Sequence, residues 1–198
     1  MSTVLRALRR AESEVEKLVS TYEAHGCSAD EIEAMGSVVK ARAEVAFQNR
    51  RLRREFVRRD LRRAPMAFGV ALRGVLWTDE AMALLPGGGR DYGWNDGGCL
   101  ILSDALADLL GDAVEQVSIV GNGTLVGQHH LVRFDGWYID ADGACPEDVL
   151  LRRWVCEENV HAPRVTRLAA VDVGSPRDRE ASRRIMWHLV DALRPTLD

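Results

Sequence analysis

The sequence predicts an α+β protein, in which an N-terminal antiparallel helical hairpin precedes a domain with a helix packed on an antiparallel sheet. Three observations predict this class. Apolar residues recur every three or four positions through residues 3–25 and 28–63, which is the periodicity of amphipathic helices. A further apolar helix is predicted over residues 100–110. Strand-like segments on both sides of Asp135-Gly136, a strong two-residue turn signal, then predict a β-hairpin.

Capping signals divide the N-terminal part into two helices. The first, residues 3–25, carries apolar residues in alternating four- and three-residue steps, as coiled coils do, and Gly26 ends it. The second begins at Ser28-Ala29-Asp30-Glu31, which has the form of a capping box. It is predicted to continue to about Arg63, because Pro65 cannot extend it. Two helices joined by so short a turn are expected to fold back on each other.

We expect this hairpin, residues 1–63, to be a domain separate from the one that carries the chemistry, residues 64–198. Its first helix presents more apolar surface than the facing helix covers, because Arg42, Gln48 and Asn49 interrupt that helix. Symmetric dimers are the commonest way to bury such surface. We therefore predict a homodimer through the N-terminal helices. Docking of another partner, or packing of the hairpin on the sheet, are the alternatives.

The end of the second helix is strongly basic, although the whole chain has a net charge of -4. Glu55 and Asp60 are the only acids in this stretch, whose arginines are Arg50, Arg51, Arg53, Arg54, Arg58, Arg59, Arg62 and Arg63. Such a segment can bind nucleic acid or an acidic protein. Aromatic residues that would stack on bases are sparse here, which argues against nucleic acid. The sequence favours a solvated helix face that pairs with the acidic remainder.

Composition and cysteine spacing restrict the class further. The hydrophobic fraction of 46% is typical of globular proteins. No apolar run reaches the roughly 18 residues of a membrane helix, and charges interrupt the N-terminus where a signal peptide would be apolar. We expect no membrane association and a cytoplasmic location. The four cysteines have neither metal-site spacing nor disulfide density, so we expect reduced thiols, no metal and no cofactor: Cys27, Cys99, Cys145 and Cys156.

Cys99 is the candidate nucleophile because it stands at the predicted start of an apolar helix. Gly97 and Gly98 before it allow a sharp entry into the helix. A thiol must lose its proton to attack, and both a helix N-terminus and a nearby imidazolium lower its pKa. The sequence predicts an exposed thiol, held at the tip of a packed helix.

The hairpin that follows supplies a base and an acid. With a two-residue loop, alternation along the strands puts His129 on the same face as Asp140 and Asp142, and His130 on the opposite, more apolar face. We therefore predict His129 as the base; a three-residue loop would favour His130. Asp140 is preferred to Asp142 because it lies inside the strand. The pairs across the hairpin would be Phe134 with Trp137, Arg133 with Tyr138, and Val132 with Ile139.

This order of residues resembles the papain-like superfamily, particularly its small transglutaminase-like members. The resemblance covers roughly residues 90–145 and rests on Cys99 opening a helix and on the segment from His129 to Gly143. It implies a Cys on a helix that meets a His and an Asp on neighbouring antiparallel strands. Papain's Cys-Gly-Ser-Cys-Trp neighbourhood is absent, and no Gln stands at the usual oxyanion spacing before Cys99. Asn95, or the backbone N–H of Cys99, is the candidate oxyanion donor in its place.

We therefore expect a cysteine-dependent hydrolase or acyl-transfer enzyme: a peptidase, isopeptidase, amidase or transglutaminase-like enzyme. Cys99 would be the nucleophile, His129 the base and Asp140 the orienting acid, and a protein, a peptide or another amide the substrate. Hydrolysis and transfer are both open. The alternative is a non-catalytic binding or assembly protein on the same fold, docking through its N-terminal helices and arginine-rich segment.

Overall fold

The computed structural model shows an α+β protein with two compact units, Met1–Phe56 and Val57–Asp198. The division lies inside a helix and earlier than the predicted boundary after Arg63. The reason is that Val57 and Leu61 are buried in the apolar core of the second unit. The residues that the structure describes are 3–90, 93–123, 128–167 and 176–193.

The first unit begins with α1 (Thr3–Ala24) and α2 (Ala29–Ala34), followed by α3 (Gly36–Arg63), which continues into the second unit. The predicted capping box is confirmed: the Ser28 hydroxyl accepts from the backbone N–H of Glu31, and the Glu31 carboxylate accepts from that of Ser28.

The prediction of one continuous second helix is wrong. Met35 has an extended conformation, with ψ of 123°, and its N–H bonds the carbonyl of Ile32, which closes α2 with a tight turn. Gly36, a poor helix former, is the first residue of α3. Near the break, the hydroxyl of Tyr22 lies 2.8 Å from that of Ser37, which ties the end of α1 to the start of α3. The antiparallel packing of the two predicted helices along their length and the homodimer remain predictions.

The second unit contains a five-stranded sheet in which neighbouring strands are antiparallel, in the order β4-β3-β2-β1-β5. Its elements after α3 are α4 (Pro65–Leu76), α5 (Asp79–Met82), α6 (Cys99–Leu110), β1 (Glu115–Val120), β2 (His129–Phe134), β3 (Trp137–Asp140), β4 (Gly143–Pro146), α7 (Glu147–Cys156), β5 (Arg164–Arg167) and α8 (Pro176–Ala192).

The predicted hairpin register is confirmed. The loop consists of Asp135 and Gly136, both with positive φ, 45° and 80°, as a type I′ turn requires. The observed pairs are Val132 with Ile139, Arg133 with Tyr138, and Phe134 with Trp137. The two-residue loop therefore fixes which side chains share a face of the sheet.

Two apolar clusters cover the two faces of the sheet. On one face, Val132 and Ile139 join the main core with residues of α4, α6 and α8. On the other, Leu131 and Tyr138 join a smaller cluster with Trp154 of α7. The alternation of side chains along β2 and β3 thus separates the two clusters. We call the face of Val132 and Ile139 the α6 face and the face of Leu131 and Tyr138 the α7 face.

Other sequence predictions for this unit are met in part. The sequence also predicts strands over residues 115–120 and 137–140 and a helix over residues 147–158, and β1, β3 and the start of α7 lie there, whereas β4 was not anticipated. The stretch after Pro65, whose Gly and Ala content gives no clear pattern, is α4. Pro65 ends one helix and occupies the first turn of the next. The sequence further predicts strands over residues 124–134 and 165–173. The first begins at His129 within the described residues, and residues 124–127 and 168–173 lie outside them. Within the described ranges, no helix has both the length and the apolarity to cross a membrane.

Candidate active site

Cys99 is the first residue of α6, as the sequence predicted, but its thiol is not exposed. The residue is only 6% exposed. Gly98 packs so closely that a Cβ at this position would lie 2.6 Å from the carbonyl oxygen of Gly93, and the backbone N–H of Gly98 donates to that oxygen at 2.9 Å. The glycine is therefore required to pass the chain into α6, and the thiol is recessed at the helix start.

His129 and Asp140 form a buried pair on the α7 face. They are 1% and 3% exposed, and Nε2 of the imidazole lies 3.2 Å from Oδ2 of the carboxylate. The other ring nitrogen, Nδ1, is buried and has no hydrogen-bond partner of good geometry among the described residues. Since Nε2 is engaged by Asp140, Nδ1 is the nitrogen left to exchange a proton with Cys99.

The charges of this group reinforce one another. Burial alone would raise the pKa of the Cys99 thiol, but the interaction with His129, together with the backbone N–H groups of His130 and Leu100, lowers it overall. Burial would likewise lower the pKa of His129, yet Asp140 and Cys99 raise it to about 9. The opposed shifts favour a thiolate and an imidazolium over the two neutral forms.

Asp140 is held by more than the histidine. Its Oδ1 accepts the backbone N–H of Asp142 at 2.9 Å, and its Oδ2 accepts from Arg153 as well as from His129. Burial would raise the pKa of this carboxyl, but His129 and Arg153 hold it below its usual range. The buried acid is therefore ionised and fixed in orientation.

Trp154, the next residue on α7, packs on the imidazole. The ring centroids of Trp154 and His129 are 4.9 Å apart and the planes are inclined by 33°. An indole face attracts a cation and excludes water, so this contact suits a protonated His129.

Asn95, a predicted oxyanion donor, hydrogen-bonds one of the two acids. Its Nδ2 donates to Oδ2 of Asp142 at 2.9 Å, and its Oδ1 is buried without a partner among the described residues. Reversing the amide would place an oxygen against a carboxylate, so the side-chain orientation is well determined. The backbone N–H of Cys99, at the start of α6, is the other predicted donor.

The two residues left as alternatives have different surroundings. Nδ1 of His130 lies 2.9 Å from the hydroxyl of Ser118, on the α6 face. Asp142 is more exposed than Asp140 and pairs with Arg153 and Asn95. The structure thus brings together Cys99, His129 and Asp140 and leaves His130 outside that group.

Sequence reasoning missed Arg153 and Trp154. The available signal was weak: Leu150 and Trp154, four positions apart, mark the buried side of α7. Nothing in their spacing shows that this side faces the histidine and the acid.

Of the other cysteines in the second unit, Cys145 has a pKa raised to about 11, first by burial and then by Asp140, and Cys156 is exposed. No group of three or more His, Cys, Asp or Glu residues suited to a metal ion occurs in the described part of the chain. Comparisons with protein-family models, with curated proteins and with solved structures found no match.

Proposed function

We propose that the protein is a cysteine-dependent hydrolase or acyl-transfer enzyme that acts on an amide, isopeptide or thioester bond. One observation carries the proposal: a buried imidazole has one nitrogen on an ionised carboxylate and the other left for a thiol at a helix start. An imidazole so placed can take a proton from sulfur and return it to a leaving group. The roles are Cys99 as nucleophile, His129 as base and acid, and Asp140 as orienting acid.

The reaction proposed for an amide has two halves. The Cys99 thiolate attacks the carbonyl carbon, a C–S bond forms, and the carbonyl π electrons move to oxygen. The C–N bond then breaks as Nδ1–H of His129 protonates the amine, leaving a thioester on Cys99. Water or a second amine attacks the thioester and gives its proton to Nδ1, so that the C–S bond breaks and the thiolate returns.

The developing oxyanion requires hydrogen-bond donors. The first N–H groups of a helix lack intrahelical acceptors, and Gly98 offers no side chain to cap them. The backbone N–H of Cys99 is our first choice of donor. Asn95, whose amide donates one of its two N–H groups to Asp142, is the alternative.

The papain-like and transglutaminase-like assignment belongs to the same proposal. Support comes from the order of the elements: Cys99 begins α6, and His129 and Asp140 stand on the adjacent antiparallel strands β2 and β3. Within that superfamily a peptide or other amide is the expected substrate class.

The second candidate is a binding or assembly protein that keeps the fold without catalysis. The observation in its favour is the burial of all three side chains, with Cys99 only 6% exposed. A reacting thiol must be reached by its substrate, whereas a thiol that only fills space as a small apolar residue needs no such access.

Selective alkylation separates the two candidates. We would treat the folded protein with iodoacetamide at pH 6 and at pH 8 and map the modified cysteines by mass spectrometry. Ordinary thiols, with a pKa near 8.5, are mostly protonated at pH 6 and react slowly, so exposed Cys156 is the accessibility control. Faster labelling of Cys99 than of Cys156 at pH 6 is the result expected of the enzyme.

Equal, slow labelling of all four cysteines at pH 6, or labelling of Cys156 alone, would contradict the proposed function. Where Cys99 reacts first, peptide and acyl activity probes that leave a stable adduct on sulfur would identify the bond, with the Cys99→Ala variant as the blank.

A further inference from the structure

α7 contributes a clamp that spans both acids of the site. Arg153 is 20% exposed on its side chain. One of its terminal nitrogens, Nη2, bonds Oδ2 of Asp140, and the other, Nη1, lies 3.4 Å from Oδ2 of Asp142. The guanidinium is thus divided between two carboxylates that are two positions apart in the chain.

The oxygen that Arg153 contacts is the same one that faces the histidine. Oδ2 of Asp140 lies 3.2 Å from Nε2 of His129. Any rotation of the carboxylate that weakens one of these contacts disturbs the other, because both share a single atom.

The clamp continues to the segment before the nucleophile. Asp142, at the far end of the guanidinium, accepts from Nδ2 of Asn95 at 2.9 Å, and Asn95 stands four positions before Cys99. A continuous series of polar contacts therefore runs from α7 through both acids to the approach to α6.

We infer that Arg153 is a positioning residue, which by binding Asp140 and Asp142 together holds the carboxylate in the orientation that His129 requires. Its consequence for catalysis rests on the proposed function, whereas the orientation of His129 can be measured without a substrate. Arginine suits this task because its planar guanidinium presents donors in a fixed fork, which lysine does not.

Orientation and charge predict opposite effects on the histidine. If Arg153 acted only as a positive charge near Asp140, its removal would strengthen proton binding by His129, because less of the carboxylate's charge would be neutralised. If it holds the carboxylate in place, its removal weakens the hydrogen bond to Nε2 and so weakens proton binding. The titratable and charged groups near this pair, besides Arg153, are Cys99 on α6, Cys145 on β4, Asp142 after β3 and Asp148 on α7.

The test titrates His129 by NMR in the full chain and in three variants. Arg153→Gln removes charge and fork, Arg153→Lys keeps the charge alone, and Arg152→Gln is the matched control. Arg152 neighbours Arg153 on α7, but its side chain is 71% exposed and forms an ion pair with Asp148, which is equally exposed. We expect Arg153→Gln to lower the pKa of His129 by about one unit, a tenfold weaker proton affinity. Arg153→Lys should give a smaller fall and Arg152→Gln none.

Alkylation of Cys99 at pH 6 provides the second measurement. It should fall about tenfold in Arg153→Gln, the scale of losing one contact that orients a group of an active site, and stay unchanged in Arg152→Gln. Circular dichroism of each variant establishes that it is folded. Should Arg153→Gln fail to fold, Arg153→Lys decides alone. A His129 titration in Arg153→Lys that differs from that of the native protein shows that the planar guanidinium, and not its charge alone, is required.

Three results would overturn the inference: an unchanged His129 titration in Arg153→Gln, a rise in its pKa, or complete restoration by Arg153→Lys. Failure of the proposed function would give a different experimental result. In that case the native protein itself shows no preferential alkylation of Cys99, whatever the variants do to the titration of His129.

Discussion

The two faces of the sheet treat neighbouring histidines differently. On the α6 face, His130 bonds the neutral hydroxyl of Ser118, close to a polar group in which Gln116 donates to both Ser103 and Asp104. On the α7 face, His129 meets the ionised Asp140 through one nitrogen and has no well-formed hydrogen bond through the other. Because side chains alternate along β2, the imidazoles of His129 and His130 lie on opposite faces and have different hydrogen-bond partners.

The two faces differ in how completely their buried polar groups are hydrogen-bonded. Buried polar groups normally find partners, since an unpaired one costs about 1–3 kcal/mol. Ser103, Gln116 and Ser118 follow this rule on the α6 face. The open nitrogen of His129 departs from it beside a thiol whose pKa is lowered, which is the arrangement that proton transfer between them requires.

The largest expected effect concerns the pH dependence of stability on the α7 face. Raising the pKa of His129 from 6.5 to about 9 stabilises the folded state fully below pH 6.5, and this contribution is lost as the pH rises through 9. Such a shift corresponds to roughly 3 kcal/mol. Cys99 offsets part of the loss, because a lowered thiol pKa adds stability at alkaline pH.

Urea unfolding between pH 6.5 and pH 9.5 checks this expectation. Over this range the free energy of unfolding of the native protein should fall relative to that of His129→Gln. The free energy of unfolding of His130→Gln should fall relative to that of His129→Gln by the same amount. A constant difference between the native protein and His129→Gln would show that the imidazole is not held protonated by Asp140 and Cys99.

A smaller effect is expected from Gly98, which sets the position of Cys99 relative to His129. In Gly98→Ala the new Cβ would meet the carbonyl oxygen of Gly93 at 2.6 Å, so the backbone must shift, at a cost of about 1–3 kcal/mol. Gly74→Ala is the control, because nothing lies within 4 Å of its Cβ and alanine favours the helix. Thermal unfolding should show a lower Tm for the first variant only; equal Tm values would mean that the approach to α6 is adaptable.

The smallest effect on stability is expected at Cys99, the proposed nucleophile. Cys99→Ala removes one sulfur atom, about the size of a methylene group, from a recessed position and should lower the free energy of unfolding by about 1 kcal/mol. The same change should abolish adduct formation with acyl probes. Retained turnover of a genuine substrate by Cys99→Ala would show that the thiol is not the nucleophile.

Much of the fold could be predicted from the sequence, because its signals are local. Asp135-Gly136 specified a two-residue turn, and that turn fixed the register and put His129 on the face of Asp140. The capping box of Ser28 and Glu31 was equally explicit. In each case a few adjacent residues determine the backbone through their own φ angles or hydrogen bonds.

The features that sequence reasoning missed depend on contacts distant in the chain. β4, with Gly143 and Pro146 at its ends, has little strand propensity and forms by pairing with β3. Cys99 is buried at a helix start where Gly98 approaches Gly93 closely, and the clamp of Arg153 depends on where α7 lies against the sheet. The sequence pattern within each of these segments does not indicate which distant residues it contacts.

If His129, on the α7 face, is the histidine that activates Cys99, then substituting each of the two histidines in turn tests this role most directly. The measurement is the rate of Cys99 alkylation at pH 6 in folded His129→Gln and His130→Gln, each compared with the native protein. We expect His129→Gln to reduce Cys99 to the slow rate of an ordinary protonated thiol, and His130→Gln to retain the native preference for Cys99 at some cost in stability. Rapid, selective labelling that survives in His129→Gln but disappears in His130→Gln would contradict the account.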